Sequence, residues 1–377
     1  MKILYIISGT NLGGATFSFL TLLEKGIEQG NSVVVVIPDK RKEFVDILEN
    51  MNVAFHVVPV TFNSWPPYLG RRRIFEFLKL LLKGRRNQFR LRKAVANIIR
   101  LEKPDIVHTN VSPIDVGYFA AKATKVPHIW HIREYCDRDF NIKMFPSKRI
   151  FQRHLKRGYS ICITKDLQRY NKLTGQSTSF VIYNGVRKEN EFIYDGGKSH
   201  YFLCASRISP EKDQLRTIRV FSRFVESNPN WKLIILGDGA EWYIEQCKHE
   251  AELLHIDNHV YFAGFTNNVD KYMRNASALL VASPSEGFGR MTAEAAFSGC
   301  IVIGFNGAGT KEVLEQTGGF LWNTDDEYLD AMKTVASMTT DEYKELALSA
   351  QNRARQLFSI ESYAKSVFNL YDSILKR

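Results

Sequence analysis

No apolar run in the 377-residue chain approaches the roughly 20 residues that a membrane-spanning helix needs. Met1-Lys2 followed by Ile3 to Ile7 is too short for a signal-peptide core and runs straight into Ser8-Gly9, so it reads as a first strand. The five cysteines are scattered without a C-x-x-C pair, and Cys162, Cys204 and Cys300 lie in or beside apolar runs, as small core residues do. A reducing cytoplasm fits that usage. There is no G-x-G-x-x-G and no Walker lysine. Acid is also scarce in one place. Residues Tyr68 to Arg100 hold eleven Lys and Arg against the single acid Glu76, much of the formal charge of +11. Such a block seeks phosphate, on nucleic acid or on anionic lipid.

What is present is a soluble globular composition, 45% hydrophobic and 24% charged, in a chain long enough for two domains. Short apolar runs alternate with helical patterns. The first half offers strands at Ile3–Ile7, Val33–Ile37, Val53–Val58, Asp105–His108, His128–His131, Ser160–Ile163 and Phe180–Ile182. Helices are expected near Thr16–Gln29, Lys42–Glu49, Arg71–Arg100, Asp115–Ala123 and Asp166–Leu173. After a polar stretch at 187–200, strands restart at Tyr201–Ala205, Trp231–Leu236, His259–Ala263, Leu279–Ala282 and Ile301–Ile303. Their helices are Gln214–Ser227, Glu241–Leu254, Arg290–Ser298 and Asp341–Leu357. This alternation predicts parallel βαβ units. The expected division is 1–186, a link at 187–200, 201–359, and a last helix at 360–377 that crosses back to the first domain. Two doubly wound domains facing each other would bind ligand at the carboxyl ends of their strands.

The stretch Ser283 to Glu294 organises the candidate chemistry. It leaves an apolar strand, turns through Gly287 and Gly289, and opens a helix, where unpaired backbone N–H groups can face an anion. Glu286 and Glu294 bracket that turn with seven residues between them. Taken alone, this pattern also reads as a charge complementing a helix dipole and a solvated carboxylate. Arg207 and Lys212 leave one strand end and could reach a single pyrophosphate, or be ordinary loop cations. Gly13-Gly14 forms another strand-to-helix turn, open to a ligand or simply ordinary loop geometry, and His131 at a strand's carboxyl end could donate to a sugar hydroxyl or be a satisfied structural residue.

These motifs together resemble glycosyltransferase family 4 over nearly the full chain. Ser206-Arg207 to Lys212, Gly237-Asp238-Gly239, Phe262 to Phe265, the E-x7-E of Glu286 and Glu294, and Gly307 to Glu312 occur in that family's order; Gly13-Gly14, His131 and Tyr183 to Val186 match in the first half. The resemblance implies a GT-B fold, α/β with two Rossmann-like domains across a cleft, and a retaining sugar transfer without metal or other cofactor. It implies that Arg207 and Lys212 neutralise the donor diphosphate and that Glu294 holds the ribose. Glu286 and His131 would face the transferred sugar. The amides of Gly287, Phe288, Gly289, Arg290 and Met291, with those of Gly13 and Gly14, would contact sugar or phosphate. The late turn departs from the pattern, being Gly-Ala-Gly, and His131 is followed by Ile132 rather than Asp.

The expected activity is transfer of a hexose or N-acetylhexosamine from a UDP-linked donor to a glycan acceptor on a lipid carrier, in surface polysaccharide biosynthesis. Alternatives are a nucleotide-sugar epimerase of the same architecture and a catalytically inactive basic scaffold. In the basic segment, Ile74, Phe77, Leu78, Leu81 and Leu82 make one apolar stripe. From Trp65 to Lys83 this suggests contact with an anionic membrane surface, hence a cytoplasmic enzyme at the inner face of the membrane. Leu91 to Ile99 suits packing on the enzyme's own sheet. No stacking or base-reading motif supports nucleic acid.

Overall fold

The computed structural model describes residues 1–11, 13–67, 74–111, 114–140, 143–191, 196 and 198–376. They form two compact units, Met1–Tyr183 with Tyr363–Arg377, and Asn184–Ser362. The stretch 187–200 thus lies inside the second unit, with 192–195 and 197 outside the described residues.

In the first unit, β1 (Lys2–Ile6), β2 (Ser32–Ile37) and β3 (Ala54–Val57) are joined by α1 (Gly14–Glu28) and α2 (Lys42–Asn50). There follow α3 (Ile74–Glu102), β4 (Ile106–Thr109), α4 (Val116–Thr124) and β5 (His128–Ile132). The short α5 (Asp137–Phe140) and α6 (Lys148–Leu155) precede β6 (Tyr159–Cys162), α7 (Lys165–Tyr170) and β7 (Ser179–Val181). The sheet order is β3-β2-β1-β4-β5-β6-β7, with parallel pairing throughout. Because β1 and β2 are covered on both faces, they read as continuous apolar runs rather than alternating ones.

The second unit repeats the plan with β8 (Ser199–Ala205), α8 (Gln214–Val225), β9 (Lys232–Leu236), α9 (Glu241–Leu253) and β10 (Val260–Gly264). Next come α10 (Val269–Asn275), β11 (Ala276–Val281), α11 (Arg290–Phe297), β12 (Ile301–Phe305), α12 (Ala308–Thr317) and β13 (Phe320–Trp322). Helices α13 (Asp325–Ser337) and α14 (Thr340–Phe358) close it, in the order β10-β9-β8-β11-β12-β13. Both sheets are α/β, doubly wound and parallel, as expected. Sequence reading missed α5, α6, α10, α12, β13 and α13. For α13 a start signal was present, since Thr324 caps the helix by accepting from the Glu327 amide, with three acids in the first turn.

The last helix, α15 (Ile360–Leu375), shows how the first core is completed. From Tyr363 onward its buried face of Tyr363, Val367, Phe368, Tyr371 and Ile374 packs with Phe19, Leu22 and the strands β1 and β2. Gly26 of α1 lies against Phe368, where a Cβ would come within 3.2 Å of the ring. Helix α3 divides as expected. Leu91, Val95 and Ile99 are buried against α4, while Ile74, Leu78 and Leu82 are exposed and Phe77 and Leu81 half-buried. Residues 68–73 of the basic segment lie outside the described residues. No helix among the described residues is long and apolar enough to cross a membrane. Phe368→Ala is expected to lower unfolding free energy by about 3–5 kcal/mol through lost burial and a cavity. Phe75→Ala, at a side chain 83% exposed, should change it by less than about 0.5 kcal/mol in the same urea titration.

Candidate functional site

In each sheet the strand order reverses between two neighbours, β1/β4 and β8/β11. Loops leaving such neighbours at their carboxyl ends diverge, and the crevice there is the usual ligand position of open α/β sheets. Arg207 and Lys212 follow β8, and the segment 282–289 follows β11, so topology alone sets them side by side. Arg207 is exposed and Lys212 half-buried in a short 3-10 turn, Pro210–Lys212. Gln214, which sequence reading passed over, braces this loop. Its amide donates to Ser206 Oγ (3.1 Å) and the Arg207 carbonyl (3.0 Å), and its carbonyl accepts from the Ser209 amide.

The two carboxylates are held differently. Glu286 pairs with Lys212, and Ser283 Oγ donates to the Glu211 carbonyl at 3.0 Å, so two contacts join the loops. Glu294 is buried in α11 between two guanidinium groups, Arg290 at 2.7 Å and Arg187 at 3.2 Å. Arg290 stands four residues before Glu294, a spacing visible in the sequence. Arg187 is a long-range partner that also pairs with Asp270, and nothing in its local sequence announced it. Helix α11 starts at Gly289 in the left-handed conformation (φ 80°), and no side chain of the described residues caps it. Its first amides are oriented as an anion would need.

Glycines make this crowding possible. A Cβ on Gly237 would lie 1.9 Å from the Ser206 carbonyl oxygen, and one on Gly239 2.0 Å from that of Ile208. The Gly-Asp-Gly turn therefore lies directly on the Arg207 loop, with the Ile208 amide donating to the Asp238 carbonyl at 2.8 Å. Likewise a Cβ on Gly309 would approach the Phe288 backbone to 2.5 Å, and the Gly309 amide donates to the Glu286 carbonyl at 2.8 Å. The Gly-Ala-Gly departure is accommodated by Ala308 itself taking a positive φ of 47°. Glu312 is buried one turn into α12.

In the first unit, Gly13 precedes α1 in extended conformation, without a side-chain cap. A Cβ there would meet no described atom within 4 Å, so the backbone is open to close approach. Beside it, a hollow of about 160 Å³ sits at the β1/β4 switch, lined by Ser8, Gly9, Asn11, Thr16 and Asn110. His131 is fully buried at the end of β5. Its Nδ1 lies 3.1 Å from His108 Nε2 and 3.3 Å from Arg133 Nη2, and its Nε2 has no hydrogen-bond partner among the described residues. His128 points to the opposite face, 2.8 Å from Thr109 Oγ1. A second hollow, of about 370 Å³, lies along α3, where Arg85, Gln88, Phe89 and Arg92 face Asp115 and Phe145. Arg92 pairs there with Asp115 at 3.0 Å and covers the Phe119 ring.

Two Rossmann-like parallel-sheet units, each with glycine-opened loops at its switch point, are the components of the GT-B class of sugar-transferring enzymes. Residues 13–164 match the glycosyl transferase 4-like domain and residues 186–357 the glycosyl transferases group 1 domain. The chain belongs to the group 1 glycosyltransferases. It is 26% identical over 212 residues to the poly(glycerol-phosphate) alpha-glucosyltransferase of Bacillus subtilis, covering 54% of this chain and only 31% of that protein. A Klebsiella pneumoniae protein of 42.6 kDa from a cps region is 27% identical over 317 residues, 78% of this chain and 81% of that one. Among solved structures, HepE of Anabaena in complex with UDP superposes with a TM-score of 0.78 at 20% identity, over 99% of this chain and 100% of that one. This last likeness is one of fold.

Burial drives His128 down to about 3, and burial followed by the nearby Arg133 charge holds His108 and His131 well below the ordinary histidine value. All three are neutral near pH 7. Unfolded histidines titrate near 6.5, so below that pH the unfolded chain binds protons that the folded one refuses. The three depressed values thus favour folding fully above about pH 6.5, and this contribution declines as pH falls, down to about 3 for His128. Urea midpoints should fall from pH 7 to pH 5. Replacing His128 by Gln should shallow that fall.

Proposed function

We propose that the enzyme is a retaining transferase moving a hexosyl or N-acetylhexosaminyl group from a UDP-sugar to a glycan acceptor carried on a lipid. The observation that carries this reading is the convergence of Arg207, Lys212, Glu286 and Glu294 at one switch point, beside the start of α11, whose Gly289 is capped by no side chain of the described residues. Two cations and a helix N-terminus suit a diphosphate; two carboxylates suit hydroxyls on either side of it. A nucleotide sugar has both. Lys212 and Arg207 stabilise the diphosphate as the bond to the sugar's anomeric carbon breaks and its electron pair leaves on the phosphate oxygen. In this reading that stabilisation comes from side chains and amides, and no metal is required. Glu294, already fixed by two arginines, accepts from the ribose hydroxyls. Glu286 and His131 hold the sugar, and the amides of 287–291 and of Gly13 and Gly14 contact sugar or phosphate.

The acceptor belongs to the first unit in this reading, and the hollow along α3 suits it. Exposed Phe75, Leu78 and Leu82 beside Lys79, Lys83, Arg85 and Arg86 suit an anionic lipid surface. Sequence relatives named for glucosyl and galactosyl transfer support a hexosyl donor.

Calorimetry with UDP, GDP and ADP should show UDP binding preferentially. The Lys212→Ala variant should weaken it at least tenfold. Glu294→Gln should weaken UDP binding, while Glu286→Ala should leave it within about threefold and lower turnover. Gly309→Ala, which pushes the 286–289 loop, should cost about 10- to 100-fold in turnover by misplacement. Equal UDP affinity in wild type and Lys212→Ala would overturn the donor site. Vesicle co-sedimentation with anionic against neutral lipid tests the surface contact, which Leu78→Glu with Leu82→Glu should abolish.

A further inference from the structure

We propose that Arg133 is a positioning residue that fixes His131 as a hydrogen-bond donor through Nε2, within a buried relay completed by the last helix of the chain. The inference rests on the reading that His131 meets the transferred sugar. A guanidinium in a protein only donates, and Arg133 Nη2 stands 3.3 Å from His131 Nδ1. Nδ1 must therefore present its lone pair, and the ring proton of a neutral imidazole is left on Nε2. His108 agrees with this assignment. Its Nε2 lies 3.1 Å from the same Nδ1 and acts as donor, while its own Nδ1 accepts from the Tyr371 hydroxyl at 2.6 Å, a much shorter contact than the 3.5 Å from that hydroxyl to Tyr5. Every proton in the chain Tyr371, His108, His131 then runs one way. The opposite polarity would aim a His131 N–H at the Arg133 cation.

Arg133 is itself held in place. Its Nε donates to Asn110 Oδ1 at 3.1 Å and its Nη2 to the Tyr363 hydroxyl at 2.9 Å. Tyr363 and Tyr371 stand eight residues apart on α15, near two full turns, so one helix face supplies both ends of the relay. Asn110 borders the hollow at the β1/β4 switch. The product of this arrangement is a buried N–H on His131 Nε2 without a partner among the described residues. A fold rarely keeps such a donor unpaired; an acceptor oxygen on a bound sugar would satisfy it. Neither tyrosine nor Arg133 touches the substrate in this scheme. They act through the imidazole.

Nitrogen-15 spectra of histidine-labelled full-length protein test the polarity directly. The His131 signal, assigned by its loss in His131→Gln, should show the proton on Nε2 in wild type. In Arg133→Met the ring should shift toward a mixed or Nδ1-protonated form, and kcat should fall at least tenfold while UDP affinity stays within threefold. Arg133→Lys, which keeps a donor, should recover much of the tautomer and part of kcat. A wild-type ring protonated on Nδ1, or an unchanged tautomer in folded Arg133→Met, overturns the relay. A correct tautomer in a protein that binds UDP but whose His131→Gln variant keeps full kcat leaves the relay standing and removes the sugar-contact reading. Absence of UDP binding altogether would instead fail the donor proposal.

Discussion

The second unit depends on three places where backbone lies on backbone with no room for a Cβ. Gly237 against Ser206 and Gly239 against Ile208 join the loops after β8 and β9, and Gly309 against Phe288 joins those after β11 and β12. Between these two pairs of loops, Lys212 of one meets Glu286 of the other. The constraint is steric and therefore stiff. Interiors are close-packed, and a displacement of a few tenths of an ångström at one loop is passed to its neighbour.

The first unit solves a different problem. It buries three neutral histidines and a guanidinium on or beside β4 and β5, where each needs hydrogen-bond partners because charge and polarity cost most away from water. Tyrosines from α15 provide two of these, Tyr363 for Arg133 and Tyr371 for His108. The helix also contributes an apolar face to the core, so the same residues that complete the packing complete the polar network. Core and chemistry share one element.

The fold was largely legible, because parallel strands covered on both faces leave short, nearly unbroken apolar runs, as Val33 to Ile37 and Leu279 to Ala282 do. The missed helices have weaker signatures. α6 is short, only eight residues, and α12 begins in a glycine-rich turn, although Ser147 and Thr324, which cap α6 and α13, did announce those two helices. In the candidate site, Arg207, Lys212, Glu286 and Glu294 were legible because they fall, together and in order, on the motifs of a family resemblance. Arg187, Gln214, Arg133 and His108 were not. Arg187 and His108 act on partners that topology delivers, while Gln214 and Arg133 act on near neighbours through loop and strand-end geometry that no periodicity marks.

Sequence by itself thus determined the βαβ alternation, the glycine turns that open α1 and α11, and the charged residues placed around them, since all of these follow from local steric and hydrophobic periodicity. Only tertiary structure decided that Glu294 is shared by two arginines and that two tyrosines of the last helix meet Arg133 and His108. Hydrogen bonds and ion pairs join residues by distance in space, and for Arg133 and Tyr363 that distance is 2.9 Å across 230 residues of sequence.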